Sequence, residues 1–236
     1  FNKSSVLFLM PPNIGLGDAV EYAMAIERIT KKKKFKFIGI GFTGRYDYIF
    51  LNFFKFNNVY KYLISEKNMK KYETIFHFTK EITKLKNQKY NRVDIEKVIC
   101  NYFKTNIKRN VSKKIKKIKK LTIFPISTSP IRTMPVYIIN SIISEFSKKI
   151  KIEIVLDDFY PTSRYLLTSI NLYNSRVIFH KNIKELIKII KSIEYGIFVD
   201  SGPLHLAKVL NKNGMFIESS VTHKVLLNKY INFHIV

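Results

Sequence analysis

One segment late in the chain combines residue types that can bind a phosphate-bearing ligand. From Gly196 to Leu210 it reads GIFVDSGPLHLAKVL. An apolar strand is expected to end at Asp200, and Ser201 is a favourable N-cap for the helix that follows, with Pro203 in its first turn. A helix that begins at the carboxyl end of a parallel strand presents free N–H groups and a positive dipole end. The segment therefore predicts an anion-binding turn suited to a diphosphate.

Part of this pattern also has a purely structural interpretation. An ordinary strand–helix junction explains Ser201 and Pro203 without any ligand, and a lone helical histidine such as His205 is more often structural than a ligand. That interpretation does not explain an acidic residue that ends an apolar strand next to Gly-Pro and a histidine. Gly202 also lets another group approach the backbone closely. The combination favours a binding site.

A second candidate segment, PPNIGLGDAVE from Pro11 to Glu21, joins the first strand to the first helix. Gly15 and Gly17 make a loop that can pass close to a ligand. Asp18 then stands at the start of the helix, where it can act on a substrate or can be an N-cap in a capping box with Glu21. The loop has neither a GxGxxG fingerprint nor the Gly-Lys-Ser/Thr ending of a Walker loop, which disfavours a nucleoside triphosphatase.

The order of elements predicts an α/β fold with parallel strands, because short β-rich runs alternate with segments of helical period. The alternation is regular from Leu121 onward and less regular between Gly41 and Lys89. Two doubly wound units explain it better than one. We expect the boundary near residues 110–120, with one unit over residues 1–115 and a second over 116–236.

Together the two segments resemble the heptosyltransferase family, glycosyltransferase family 9. The resemblance rests on Gly17-Asp18 after the first strand and on the late run Asp200–Ala207, DSGPLHLA. Between them, Phe124-Pro125 and the run Arg132–Pro135 are similar to the opening of the family's second domain. The resemblance implies a GT-B-like fold of two Rossmann-like domains facing a cleft. The N-terminal domain, residues 1–115, would be on the acceptor side, and the C-terminal domain, residues 116–236, would bind the nucleotide sugar. The resemblance further implies a metal-independent, inverting transfer of a sugar, by default heptose from ADP-heptose, onto a lipopolysaccharide core or similar glycolipid.

The resemblance also implies a role for each matching residue. Asp18 would be the general base that deprotonates the acceptor hydroxyl, and Gly15 and Gly17 would form a loop near acceptor or donor. The donor-binding residues would be Arg132, facing the diphosphate, and Asp200, Ser201, Gly202 and His205 of the late motif. No cofactor is expected beyond the nucleotide-sugar substrate, which by default is an ADP-sugar.

Two departures from the family pattern leave an alternative open. Ile126-Ser127 stands where the family has a glycine after the proline, and Glu218 places a carboxylate near the expected donor region. A stray negative charge there would weaken binding of a diphosphate. The alternative is a non-catalytic homologue with an eroded donor site.

The charge of the chain predicts an anionic partner. Lys and Arg number 42 against 17 Asp and Glu, a net charge of +25, and such an excess favours nucleic acid, an anionic leaflet or a phosphorylated substrate. The run Lys113–Lys120 can hold an anionic membrane surface or acceptor, or can be a solvated linker. A nucleic-acid-binding protein is a further alternative, although no recognised nucleic-acid module is present.

Cysteine usage and hydropathy predict the compartment. The single cysteine, Cys100, cannot form an internal disulfide and is expected to be a buried thiol, which fits a reducing compartment. No apolar stretch approaches the roughly 18–20 residues of a spanning helix. A cytoplasmic protein is expected. The resemblance adds peripheral attachment to the inner membrane, where a glycolipid acceptor would lie. Asp157-Asp158 suggests a metal site, but an acidic turn explains the pair and no metal is predicted.

Overall fold

The computed structural model describes residues 5–61, 64–86, 95–104, 117–227 and 232–236. The chain divides into two compact units, Phe1–Lys108 and Arg109–Val236. The boundary expected after residue 115 and the first half of the run Lys113–Lys120 lie outside the described residues. The helices and strands of each unit follow the alternation that the sequence predicts.

Unit 1 contains a parallel sheet whose described strands have the order β3-β2-β1-β4. Its central strand, β1, is completely buried from Val6 to Phe8, because a parallel strand in the middle of such a sheet is covered on both faces. The strands are β1 (Ser5–Leu9), β2 (Phe37–Phe42), β3 (Val59–Lys61) and β4 (Thr74–His77); the helices are α1 (Leu16–Lys33), α2 (Glu66–Met69), α3 (Phe78–Lys86) and α4 (Ile95–Tyr102), with a π turn at Ile49–Phe53.

Aromatic side chains form much of the core of unit 1. The ring of Phe8 lies 5.8 Å from that of Phe76, 6.2 Å from that of Phe78 and 5.9 Å from that of Phe103. Large apolar rings contribute most of the area that such a core removes from water. Cys100 of α4 is a buried free thiol, as the sequence predicts.

The 18-residue helix α1 buries one face, packs against α4 and ends in a lysine run. Its last turn contains Lys31, Lys32 and Lys33, where positive charge complements the negative end of the helix dipole. Across the described part of the chain, no helix combines the length and the apolar character needed to span a membrane.

Unit 2 contains a parallel sheet whose described strands have the order β10-β9-β8-β5-β6-β7. Two strand series run outward in opposite directions from the β5–β8 pair, which is the strand order of a Rossmann fold. The strands are β5 (Lys120–Phe124), β6 (Lys151–Asp157), β7 (Ser175–His180), β8 (Tyr195–Phe198), β9 (Gly214–Phe216) and β10 (Phe233–Ile235); the helices are α5 (Val136–Phe146), α6 (Pro161–Ser169), α7 (Ile183–Ser192), α8 (Gly202–Val209) and α9 (His223–Leu226), with a 3₁₀ turn at Pro130–Arg132.

Two glycines make room for the ring at the centre of this sheet. Gly196 of β8 and Gly214 of β9 face each other across the strand pair, and a Cβ at either position would lie 2.3 or 2.8 Å from ring carbons of Phe198. The Phe198 ring stacks on Phe124 of β5, with centroids 5.0 Å apart, and meets Phe233 of β10 at 5.8 Å. Phe198 thereby connects β5, β8 and β10 immediately before the strand ends that carry the candidate site.

Replacing Gly214 by alanine should destabilise unit 2. The new Cβ would stand 2.5 Å from the Gly196 carbonyl oxygen as well as against the Phe198 ring, and overpacking of this kind costs about 1–3 kcal/mol. Urea unfolding monitored by circular dichroism measures the change. Ser144→Ala, on the exposed side of α5, is the control, and equal stability of the two variants would contradict the proposed packing.

Candidate functional site

The carboxyl ends of β5 and β8 meet where the strand order of unit 2 reverses. The two strands are hydrogen-bonded neighbours, with Phe124 opposite Phe198. Connections leave this pair in opposite directions, and ligands of open α/β sheets bind in the crevice that results. The segment after β5 contributes Ser127 and Arg132 to this edge, and the segment after β8 contributes Asp200.

An ion pair joins these two segments. Arg132 ends the 3₁₀ turn, and its Nη1 donates to Oδ2 of Asp200 over 2.8 Å. The same nitrogen lies 3.4 Å from the backbone carbonyl oxygen of Asp200, and Nη2 lies 3.4 Å from Oγ1 of Thr128. The Arg132 side chain is 17% exposed and the Asp200 side chain only 2%. Of the two partners, the arginine is the one that solvent or a ligand can reach.

His205 lies on the other side of the same carboxylate. Its Nε2 is 3.9 Å from Oδ1 of Asp200, and its side chain is 8% exposed. The carboxylate is therefore faced by Arg132 at one oxygen and by His205 at the other. A buried carboxylate requires such compensation, because removing an unpaired charge from water costs several kcal/mol.

The helix that follows begins as the sequence predicts, but without a side-chain cap. Ser201 is the N-cap of α8, Gly202 is the first helical residue, and Pro203 lies in the first turn. The Ser201 hydroxyl donates to the carbonyl oxygen of Val199 over 3.2 Å and makes no cap bond to the helix. The Leu204 N–H bonds to the Ser201 backbone carbonyl oxygen at 3.1 Å, and Pro203 has no N–H, so the positive end of the helix dipole is what this turn offers an anion.

Ser127 is a contributor that sequence reasoning missed. This buried residue donates its hydroxyl to the backbone carbonyl oxygen of Asp200 over 2.9 Å, and its own N–H bonds to Oγ1 of Thr133 at 3.2 Å. In the sequence, Ser127 is noticeable only because the resembled family has a glycine after the proline at this point. Its position directly after a buried strand, at the carboxyl edge, is the signal that could have identified it.

In unit 1, the residues Gly15, Gly17 and Asp18 share one helical turn at the carboxyl end of β1. Gly15 is the N-cap of α1, and the Ala19 N–H bonds to its carbonyl oxygen at 2.9 Å. Asp18 is therefore the third residue of the helix, so its interpretation as the N-cap of a capping box with Glu21 is wrong. The Asp18 side chain is exposed at this edge.

The loop before α1 is fixed to the neighbouring strand, which explains why the helix begins early. The Met10 N–H bonds to the Gly41 carbonyl oxygen at 2.9 Å, and the Asn13 N–H bonds to that of Thr43 at 3.2 Å. Asn13 adopts a left-handed conformation, with φ of 53°, which asparagine tolerates better than most residues. The chain turns there and enters the helix at Gly15.

Asp18 also influences a neighbour one turn further along α1. Burial, and then the negative charge of Asp18, raise the pKa of Tyr22 above its ordinary value. The Tyr22 ring packs edge-on against Phe78, with centroids 4.5 Å apart. Tyr22 is thus a neutral core residue beneath the exposed carboxylate.

The candidate residues form two groups, one in each unit. Gly15, Gly17 and Asp18 lie together at the carboxyl edge of the sheet in unit 1. The members of the second group, at the carboxyl edge of the sheet in unit 2, are Arg132, Asp200, Ser201, Gly202 and His205, to which the structure adds Ser127.

Glu218, expected as a stray charge near the donor, is paired within its own loop. Its Oε2 accepts hydrogen bonds from the His223 N–H at 2.8 Å and pairs with Nδ1 of the same residue at 2.6 Å. The hydrogen bonds from the backbone and the ring of His223 lower the pKa of Glu218. The carboxylate therefore caps the first turn of α9.

The acidic pair after β6 forms a turn. Oδ1 of Asp157 accepts from the Phe159 N–H at 2.8 Å, and Oδ2 lies 4.0 Å from Nε2 of His180. Within the described ranges, no group of three His, Cys, Asp or Glu residues is arranged to hold a metal ion.

Two Rossmann-like units in succession give the chain a GT-B-like α/β fold, as predicted from the sequence. Solved glycosyltransferase structures share this fold. Escherichia coli heptosyltransferase WaaC with ADP-2-deoxy-2-fluoro heptose matches with a TM-score of 0.65 at 9% identity, over 98% of this chain and 92% of WaaC. E. coli ADP-heptose LPS heptosyltransferase II matches with a TM-score of 0.66 at 12% identity, over 98% of this chain and 90% of that one.

A third structure extends the likeness to another organism. The glycosyl transferase family 9 structure from Veillonella parvula matches with a TM-score of 0.68 at 10% identity, over 99% of this chain and 85% of that one. No protein-family model and no curated protein sequence matches the chain. The likeness to the heptosyltransferases is therefore a likeness of fold, at sequence identities of 9–12%.

The pairing of Glu218 predicts a specific dependence of stability on pH. Because its pKa is lower in the folded state, the stability it contributes is present above about pH 4.3, its ordinary value, and is lost as the pH falls through the folded-state value. Glu218→Gln should therefore reduce the free energy of unfolding at pH 7 and lose that difference from wild type in the acid range. Urea titrations at several pH values measure it. A difference constant from pH 7 to pH 3 would contradict the pairing.

Proposed function

We propose that this protein is a glycosyltransferase that moves a sugar from a nucleotide-sugar donor, by default ADP-heptose, onto a lipopolysaccharide-core or similar glycolipid acceptor. The observation that carries the proposal is the anion site of unit 2, where Arg132 and the start of α8 lie at the carboxyl ends of β5 and β8. The solved structures with this fold support it, since two of them are WaaC with ADP or with an ADP-heptose analogue.

The groups at this site suit the departure of a nucleoside diphosphate. In an inverting transfer the acceptor oxygen bonds to the anomeric carbon, the bond from that carbon to the diphosphate oxygen breaks, and the electron pair leaves with the diphosphate. Arg132 and the positive end of the α8 dipole would stabilise that developing charge. Because these groups already supply positive charge, we propose a transfer without a metal ion.

Asp18 would take the proton of the acceptor hydroxyl. Its carboxylate is exposed, so a substrate hydroxyl can reach it, and positioned general bases contribute about 10²–10⁴-fold to rate. The pairing of Glu218 with His223 supports an intact donor site, because this carboxylate is held by hydrogen bonds within its own loop.

We further propose that the protein works at the cytoplasmic face of the inner membrane, where the glycolipid is accessible. The net charge of +25 supports attraction to an anionic leaflet, at about 1 kcal/mol for each well-placed lysine. Within the run Lys113–Lys120, the described side chains of Lys117 and Lys119 are exposed, whereas Lys120 pairs with the buried Glu153.

Nucleotide binding should be selective for ADP and ADP-sugars among the common nucleotides of sugar donors. A ligand at 100 times its dissociation constant adds about 2.7 kcal/mol of stability, which raises the unfolding midpoint measurably. A thermal-shift series with ADP, UDP, GDP and CMP at moderate salt tests this. Arg132→Gln should abolish the response, and Lys149→Gln, on the exposed side of unit 2, should leave it intact.

The rival interpretations predict different results in the same series. A nucleic-acid-binding protein would ignore the nucleotides and bind generic DNA with a steep dependence on salt. A non-catalytic homologue with an eroded site would respond to none of them. Either outcome would contradict the proposed function.

Asp18→Asn should slow sugar transfer strongly while leaving ADP binding unchanged. Removing the base should slow transfer about 10²–10⁴-fold, because the amide cannot accept the proton, whereas the donor groups of unit 2 are untouched. ADP release from ADP-heptose with a heptose-free lipopolysaccharide core measures the rate. Glu27→Gln, on the exposed surface of the same helix, is the control. A rate near that of wild type in Asp18→Asn would exclude Asp18 as the base.

A further inference from the structure

Asp200 is enclosed by protein groups. Its side chain is 2% exposed, with one carboxylate oxygen directed at Arg132 and the other at His205. A carboxylate in this position offers almost no surface to a ligand. It would also repel a diphosphate, since both are negatively charged.

Arg132 has the opposite character. Asp200 engages Nη1, but the guanidinium carries five N–H donors in a fixed plane, and 17% of the side chain is exposed. Binding one edge of this plane to a fixed carboxylate determines where the remaining N–H groups point. Thr128, 3.4 Å from Nη2, constrains the same plane further.

The backbone of Asp200 is itself held by a chain of hydrogen bonds. Ser127 donates to the Asp200 carbonyl oxygen, and Thr133 Oγ1, in the residue after Arg132, accepts from the Ser127 N–H and lies 3.3 Å from the Ser127 carbonyl oxygen. Both members of the ion pair are therefore fixed to the same two segments, which in turn follow adjacent strands. The arrangement orients one long, otherwise flexible side chain.

We propose that Asp200 is a positioning residue that holds Arg132 in place to bind the diphosphate, and that Asp200 does not contact the donor. This rests on the proposed function, and it reassigns Asp200 from the donor contacts that the family resemblance implies. Ser127 would contribute to the same positioning, because its hydroxyl donates to the Asp200 carbonyl oxygen.

The direction in which Asp200→Asn changes ligand affinity distinguishes three interpretations of Asp200. Asp200→Asn keeps the shape of the side chain and removes its charge. If Asp200 were only a nearby negative charge, its removal would tighten the binding of inorganic diphosphate. If Asp200 contacted the sugar, its loss would weaken ADP-sugar binding and leave inorganic diphosphate unaffected. If Asp200 positions Arg132, inorganic diphosphate, ADP and ADP-sugar should all bind about ten- to a hundredfold more weakly.

A double-mutant cycle completes the test, with inorganic diphosphate binding measured by calorimetry in the full chain. Arg132→Gln should weaken binding, and Asp200→Asn should have no further effect in that background, because its action passes through the arginine. Additive losses, tighter binding in Asp200→Asn, or no diphosphate binding by wild type would each overturn the proposal. Glu145→Gln, which breaks an exposed ion pair with Lys149 in the same unit, is the matched control and should bind as wild type does.

Ser127→Ala keeps the proposal testable if Asp200→Asn fails to fold. It removes only the hydroxyl that holds the Asp200 carbonyl, and it should weaken diphosphate binding several-fold in wild type and not at all in Arg132→Gln. An unchanged affinity for inorganic diphosphate in Ser127→Ala would contradict the proposed positioning. If diphosphate binding follows this pattern while no sugar transfer occurs, the proposed function fails and the positioning role of Asp200 stands.

Discussion

The candidate site depends on a buried charge that must be compensated. Asp200 follows the fully buried strand β8 and is itself buried, where an unpaired carboxylate would cost several kcal/mol. The compensation comes from Arg132, on the segment after the neighbouring strand β5. Pairing the two charges fixes the loops after β5 and β8 to each other, and Ser127 reinforces the link. The segment that leads into α8 is therefore tied to a fixed positive charge.

Local sequence patterns were sufficient for the alternation of strands and helices and for Ser201 as an N-cap. They were insufficient for the pairing of Arg132 with Asp200, because the partners are 68 residues apart and meet only through the β5–β8 adjacency. The start of α1 was misjudged for a related reason. Asp18 and Glu21 satisfy a local capping pattern, but bonds from the preceding loop to β2 start the helix at Gly15.

Departures from a family pattern have different physical meanings in the two places where the chain shows them. Ser127 stands where the resembled family has a glycine after the proline, and it makes a hydrogen bond to the segment after β8. Glu218 introduces a charge, and His223 five residues later binds it through both its backbone and its ring. Neither compensation could be read from the sequence, because each requires knowing which atoms a loop brings together.

The strand order of unit 2 has a consequence for biosynthesis. β5 and β8 are central neighbours, yet the segments that follow them are separated along the chain by 73 residues, the span from Ser127 to Asp200. A ribosome adds about 5–20 residues per second, so β5 emerges several seconds before β8 can pair with its inner edge. During that interval a flat, apolar strand has one side without a partner. Nascent chains of this protein should therefore depend on chaperones chiefly between the synthesis of β5 and that of β8.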